Sequence, residues 1–177
     1  MDPTLTQGNP NADAVQNSDT QLTSKYNFNP QVMKVAAVAS GFPVSASSEH
    51  DPGHSVHRCI INVNNAREGA TTWCAGANDT QQWIQVCLIT PKLVTSVALQ
   101  GRGQGCDQWV TRYRIMYSID GINWKYHEQG QEYVGSMDST TVVEQEFKEP
   151  FFARTVRIVP TQWHGHISTS FEVYFME

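Results

Sequence analysis

The chain has 177 residues, of which 40% are hydrophobic and 16% charged, with a formal net charge of −5. That length suits one domain with a sizeable core, or a domain plus a tail. The negative balance argues against a general nucleic-acid binder, which needs a basic face for phosphates. No apolar run of about 18 residues is present to form a membrane-spanning helix.

The first residues, Met1-Asp-Pro-Thr-Leu-Thr-Gln, lack the basic start and apolar core of a secretory signal. The expectation is a protein that stays in the cytoplasm or reaches the cell surface by an unconventional route. Residues 1–33 are rich in Asn, Gln, Thr, Asp and Pro. Such a segment buries too little apolar surface to offset its ordering entropy. It is expected to be a disordered tail, or an oligomerisation arm anchored by Tyr26 and Phe28. Residues 34–177 are expected to form the folded domain.

From Lys34 onward the chain breaks into short β-rich runs. They are Trp83-Ile-Gln-Val-Cys-Leu88, Thr95-Ser-Val-Ala-Leu-Gln100, Tyr113-Arg-Ile-Met-Tyr-Ser118, Thr141-Val-Val-Glu-Gln-Glu-Phe147, Thr155-Val-Arg-Ile-Val-Pro160 and Ser170-Phe-Glu-Val-Tyr-Phe175. Tyr113, Ile115 and Tyr117 alternate with Arg114 and Met116, the period of a half-buried strand. Asp120-Gly121 supplies a hairpin turn, and Trp124 opens the return strand. Pro150 and Pro160 are expected at strand margins, where a missing donor costs little. No segment has a sustained helical period with caps, so the prediction is an antiparallel sandwich or barrel. Cys59, Cys74, Cys87 and Cys106 are too sparse for a disulfide framework and read as free thiols. Asn78-Asp79-Thr80 is a glycosylation acceptor pattern that matters only in a secreted chain.

The run Gly101-Arg-Gly-Gln-Gly105 invites a phosphate-loop reading. A dinucleotide fingerprint needs a helix to follow, and a Walker loop needs a Lys-Ser/Thr pair. Neither is present: Trp109-Val-Thr-Arg-Tyr113 reads as strand. A flexible turn between strands is the better account.

The same region carries a family resemblance. Val97-Ala-Leu-Gln-Gly-Arg-Gly103 followed by Gln108-Trp-Val-Thr-Arg-Tyr-Arg-Ile-Met-Tyr-Ser-Ile-Asp-Gly-Ile-Asn-Trp124 resembles the centre of a discoidin domain, also called the coagulation factor 5/8 type C domain. Ser45-Ala-Ser-Ser-Glu49, Ala70-Thr-Thr-Trp-Cys-Ala75, Gln82-Trp-Ile-Gln-Val86, Ala153-Arg-Thr-Val-Arg-Ile-Val159 and Trp163-His-Gly-His-Ile-Ser168 follow in the family's order. The match covers roughly residues 34–177. Its wording comes nearest to the amoebal discoidin lectins, whose second lectin domain has no counterpart here. The resemblance implies an all-β, discoidin-like distorted jelly-roll barrel of antiparallel strands, with a galactose-binding-domain-like fold. It also implies a non-catalytic binding module for glycans, phospholipid head groups or proteins.

The resemblance places the ligand-facing loops at residues 50–57, 66–70, 101–107 and near 137–139. In the first, His50, His54 and His57 offer imidazoles that can both donate to and accept from sugar hydroxyls, and Asp51 offers an accepting carboxylate. Solvated loop histidines are a second account. A transition-metal site is a third, although the spacing fits no rigid metal motif. The loop has no bulky apolar residue, which argues against membrane insertion. Arg67 and Glu68 lie on the second loop, and Arg102, Gln104 and Asp107 on the third. Arg102 is read either as a sugar contact or as a surface ion pair with Asp107 or Glu68. Trp73, Trp83, Trp109, Trp124 and Trp163 are expected in or against the core. Some members hold a structural calcium through carbonyls and an Asp-Gly segment. Here Asn62-Val-Asn-Asn-Ala-Arg-Glu-Gly69 has no Asp, which leaves Glu68, Glu172 and carbonyls as oxygen donors.

The leading expectation is lectin-like recognition of galactose-type glycans or glycoproteins through these loops, serving cell adhesion or aggregation. The alternative is an interaction or scaffold subunit that forms a homo-oligomer through its N-terminal arm. Phospholipid binding is disfavoured by the loop chemistry. No carboxylate pair or nucleophile–base motif points to an enzyme.

Overall fold

Period-two alternation becomes antiparallel pairing along the whole domain. The computed structural model describes residues 33–61, 72–103 and 105–177. Within them the strands are β1 (Lys34–Ala36), β2 (Val44–Ala46), β3 (Trp73–Cys74), β4 (Ile84–Gln100), β5 (Trp109–Ser118), β6 (Lys125–Tyr126), β7 (Tyr133–Val134), β8 (Val143–His164) and β9 (Ser168–Met176). The hydrogen-bonded path runs β1–β9–β4–β8–β5–β6, with β2 on β4, β3 on β9 and β7 on β5. The path does not return to its first strand. The result is a jelly-roll-like wrap around one core rather than a continuous closed ring.

Two long strands make the wrap by bending. Trp83–Leu88 and Thr95–Gln100, read as separate runs, join into β4, and Thr141–Phe147 and Thr155–Pro160 join into β8. β4 pairs with β8 on both sides of a register shift between Cys87 and Lys92. Ile89 sits in that corner with φ 67, the left-handed region that a β-branched residue avoids. Pro150 and Pro160 lie inside β8, not at strand margins. Pro160 pairs with Tyr113 beside a bulge, and Pro150 falls between the Glu146 and Phe151 pairings, where the β4–β8 register slips. An irregular ladder asks for no donor at such positions, so proline is tolerated.

The hairpin after β5 forms as the Asp-Gly signal predicts. Asp120 Oδ1 accepts from the N–H groups of Ile122 (2.8 Å) and Asn123 (2.7 Å), and Gly121 has φ 81. The return strand is only Lys125–Tyr126, starting after Trp124. Along β5, Tyr113 and Ile115 are fully buried, while Arg114 and Met116 stay half-exposed.

Trp73, Tyr113, Phe171, Phe175, Ile84, Leu88, Leu99, Ile115 and Ile158 form the core. Each such side chain contributes roughly 1.5–3 kcal/mol by leaving water. Trp73 is the tryptophan wholly inside; its Nε1–H donates to Ser48 O at 2.8 Å. Trp83 and Trp124 instead lie against the outside of the sheet, stacked on the two faces of the Arg157 guanidinium at 3.9 and 3.8 Å. All four cysteines are free thiols. Burial pushes the Cys59 thiol up to about 12.

The strands give the domain two ends. At one, Trp109 of β5 faces His164 of β8; at the other, Ser118 faces Thr155. The loops 50–58, 101–108, 137–141 and 164–167 gather at the first end. The corner of β4, the Ile119–Ile122 turn and Phe152 occupy the second.

Candidate functional site

The 50–58 loop is organised by its own acid. Asp51 caps a single 3₁₀ turn, Pro52–His54, with Pro52 at its first position, where a missing N–H is harmless. Asp51 Oδ1 accepts from Gly53 N–H at 2.7 Å and lies 2.8 Å from His54 Nδ1. These contacts, the His54 hydrogen bond foremost, hold the Asp51 carboxyl below its ordinary value. Because a carboxylate only accepts, His54 Nδ1 carries the proton and Nε2 is turned inward. That Nε2 is buried and meets no hydrogen-bonding partner among the described residues.

A second turn, Val56–Arg58, follows directly and carries His57 away from this group. His57 borders a separate apolar hollow with Phe42, Val44, Val56 and Ile60. The fold thus does not bring His57 together with His50 and His54.

The Gly101–Gly105 run closes as a small hairpin. Arg102 and Gln108 form an isolated antiparallel bridge, with Arg102 N–H donating to Gln108 O at 2.9 Å. Arg102 Nη1 also donates to Gln108 Oε1 at 2.9 Å. Gly101 is required by close approach: a Cβ there would lie 2.7 Å from Asp138 O and 2.8 Å from Trp109 Cβ. Gly105 turns the loop with φ 78. Of the two ion pairs considered for Arg102, the one with Asp107 does not form, and Glu68 lies outside the described residues. Asp107 is exposed, and its carbonyl instead lies beside Gly165. The 137–141 loop is pinned by Asp138, whose carboxylate accepts from the N–H groups of Thr140 (2.8 Å) and Thr141 (2.6 Å) and stays down at about 2.

The fold brings four of these side chains together from three loops. His50 packs edge-on against His54 and against His166, with ring centroids 5.6 Å apart in both pairs. Arg102 is linked to this end through Gln108, whose Oε1 also lies 3.2 Å from Ser168 Oγ, itself 3.1 Å from Cys74 Sγ. Burial first, then the charges of His50, Arg102 and His54, push the His166 imidazole below its ordinary value. Beside the group, Trp109 and His164 stack at 4.2 Å with planes 17° apart. Chemically, this is a rim of imidazole and guanidinium donors with a flat aromatic pair next to it.

His166 and Gln108 belong to this site, although residue types alone do not single them out. His164-Gly-His166 is visible in the sequence, but only the β8–β9 turn brings it across to His50. Trp109, expected in the core, is half-buried at the rim. Arg67, Glu68 and Gln104 lie outside the described residues, as does the Asn62–Gly69 stretch considered for calcium. Glu172, the other acid considered, does not fit a hard cation. Its carboxylate accepts from the N–H groups of Val38 (2.6 Å), Ala39 (2.9 Å) and Val173 (2.9 Å), so protons point where a cation would sit. Among the described residues no group of three or more His, Cys, Asp or Glu side chains is arranged to hold a metal ion.

Comparison with known proteins places this geometry in context. The profile of the F5/8 type C domain matches residues 43–173. One of the discoidin-1 polypeptides of Dictyostelium discoideum is 42% identical over 113 residues, which is 64% of this chain and 44% of that protein. The chain spans about half the length of the curated discoidins it matches. The solved structure of recombinant discoidin II of Dictyostelium discoideum superposes with a TM-score of 0.76 at 28% identity, covering 82% of this chain and 60% of that one. A family 32 carbohydrate-binding module from C. perfringens NanJ, solved in complex with galactose, shares the fold with a TM-score of 0.63 at 22% identity, covering 80% of this chain and 99% of the module.

Proposed function

Since the chain belongs to the F5/8 type C (discoidin) domain family, we propose that it is a non-catalytic, lectin-like module that binds galactose-type glycans at the His50–His54–Arg102–His166 end. One observation carries this reading. Imidazole and guanidinium groups from three separate loops converge beside the stacked Trp109–His164 pair. A pyranose presents hydroxyl edges and an apolar CH face, and this rim offers donors and acceptors for the first and a flat ring for the second. The discoidin relatives and the galactose complex of the NanJ module support the ligand class. Cell adhesion or aggregation is the role that follows for a lectin, with weak single sites strengthened by linkage between copies.

A glycan array followed by calorimetry with galactose, N-acetylgalactosamine and glucose tests the reading. Binding of the galactose series with reduced affinity in Arg102→Ala supports it, and an array with no bound sugar sinks it.

A second reading, assembly into a homo-oligomer with residues 1–33 as its arm, is favoured by the opposite end of the domain. Arg154 Nη1 donates to Asp120 O there, at 3.5 Å, and the surrounding surface exposes Ile89, Ile119, Ile122 and Phe152. Scattered exposed apolar residues are ordinary, but several at one end mark an interaction surface. Deleting residues 1–30 and finding an unchanged oligomeric mass counts against it.

A further inference from the structure

We infer that Asn78 is a positioning residue of the sugar site: its side-chain carbonyl holds the Ile167 peptide and so fixes where the His166 imidazole stands and which of its nitrogens is free to accept. This rests on the carbohydrate reading above and deepens it.

Asn78 lies between β3 and β4, outside every loop expected to face a ligand. Its side chain is not a local cap. Asn78 Oδ1 accepts from Ile167 N–H at 2.9 Å, a contact across 89 positions of sequence. The neighbouring Asp79 does bond locally, its Oδ1 accepting from Gln81 N–H and from Gln82 Nε2, each at 2.9 Å. Asp79 shapes its own turn, whereas Asn78 reaches across to the turn between β8 and β9. The backbone just before it meets both sides of the site. Cys74 O accepts from His50 N–H at 2.9 Å, and Ala75 N–H donates to Ile167 O at 3.0 Å. Residues 74–78 thus tie down the backbone of His50 and that of Ile167, and the His50 and His166 rings meet with centroids 5.6 Å apart.

The Ile167 peptide passes this restraint on to the imidazole. Ile167 O also lies 3.1 Å from His166 Nδ1. A carbonyl oxygen only accepts, so Nδ1 carries the proton and Nε2 keeps a lone pair. Burial foremost holds the imidazole below its ordinary value, so that lone pair persists at neutral pH. His166 is then an acceptor for a sugar hydroxyl, complementary to the Arg102 donors. The turn that carries it has little rigidity of its own, because Gly165 takes φ 67 between His164 and His166. Asn78 restrains it from outside. Asn78 is exposed, so water can replace its carbonyl when the side chain is truncated. What is lost then is direction rather than the hydrogen bond itself.

The test is nitrogen NMR of the histidine rings at about pH 8, with calorimetric titration of methyl galactoside and a thermal melt, on the natural chain, Asn78→Ala and Asn78→Asp. In Asn78→Ala the His166 signals should move toward the average of the two tautomers, and the His50–His166 ring contact should weaken. Galactoside affinity should fall about fivefold, and the unfolding midpoint by no more than about 3 °C. Asn78→Asp keeps the accepting oxygen and should restore the signals, with affinity within about twofold of the natural chain. Unchanged His166 signals in Asn78→Ala, or a loss that Asn78→Asp shares in full, overturn the inference and leave the carbohydrate reading standing. Perturbed signals with unchanged galactoside affinity overturn it too, since the site would then make no use of His166. A drop in the midpoint far beyond 3 °C overturns it by making Asn78 a structural residue. If the natural chain binds no galactoside, the carbohydrate reading falls and the inference falls with it.

Discussion

Gln108 holds Arg102 twice, once through its backbone carbonyl and once through its side-chain amide oxygen, each at 2.9 Å. The first contact fixes the loop and the second fixes the guanidinium. Gln108 Oε1 also lies 3.2 Å from Ser168 Oγ, so the side chain links the loop to β9. Replacing Gln108 with Ala keeps the backbone bridge and frees the guanidinium. Galactoside affinity should fall about tenfold, the worth of one well-placed hydrogen bond. The unfolding midpoint should shift by no more than about 3 °C, since little packing is lost. Calorimetry and a thermal melt on the same sample separate the two effects; a large loss of stability would make Gln108 a structural residue instead.

Gly101 and Gly103 look alike in the sequence but differ in the fold. A methyl at Gly101 would meet backbone atoms of the 137–141 loop, Asp138 O at 2.7 Å and Ser139 Cα at 2.8 Å. At Gly103 the nearest atoms are 3.7 Å away. Gly101→Ala should therefore cost about 1–3 kcal/mol by overpacking and displace two ligand loops together. Gly103→Ala should be nearly neutral in stability. Urea denaturation of the two variants gives the comparison directly, and equal costs would refute it.

Local signals account for what was legible. The alternation of Tyr113 and Ile115 with polar neighbours, and the Asp120-Gly121 turn, depend on residues adjacent in the chain. The corners of β4 and β8 were hidden because no glycine marks them: Ile89 takes the left-handed conformation itself. The prolines of β8 hid the continuity of that strand, because a bulge removes the need for their missing donor. In the site, His50, Asp51, His54 and Arg102 were visible as loop residues with useful chemistry. His166 was not, because its approach to His50 depends on how β8 and β9 turn, a contact across more than 100 positions of sequence. His57 is near His54 in sequence but follows it on a second 3₁₀ turn and borders a different hollow.

Arg157 between Trp83 and Trp124 is a stability element remote from the binding end. Its Nε and Nη2 donate to Gln85 Oε1 at 3.0 and 2.8 Å, which sets the guanidinium flat between the rings. Burial lowers its pKa from the ordinary arginine value, and the ring faces offset that desolvation. Arg157→Leu should cost about 1–2 kcal/mol, from two cation–π contacts at a half-buried position. A double-mutant cycle with Trp124→Leu should return a coupling of at least about 0.5 kcal/mol. Additive losses would mean that the rings pack on the sheet without sensing the charge. Glycan affinity should not change in either variant.

Glu172 offers the sharpest test of how the first segment is fastened to β9. It is 3% exposed, and both carboxylate oxygens are used: Oε1 accepts from Val38 and Val173 N–H, and Oε2 accepts from Ala39 N–H. Glu172→Leu leaves the buried N–H groups of Val38 and Val173 and the partly buried one of Ala39 without acceptors, and should destabilise by more than about 3 kcal/mol. Glu172→Gln keeps one oxygen but turns an amide N–H₂ toward the remaining donor, and should cost about 1–3 kcal/mol. The pH dependence carries a definite sign. Burial outweighs the three hydrogen bonds and raises the carboxyl above its ordinary value of 4.5. A raised folded value means that the group's stabilisation is fully present below the unfolded value and is lost as pH rises through the folded one. The stability gap between the natural chain and Glu172→Gln should therefore narrow as pH rises from about 4.5 to 7.5. Guanidinium denaturation across that range measures the gap, and a gap that widens would show that the three N–H donors, not burial, dominate the charge at this position.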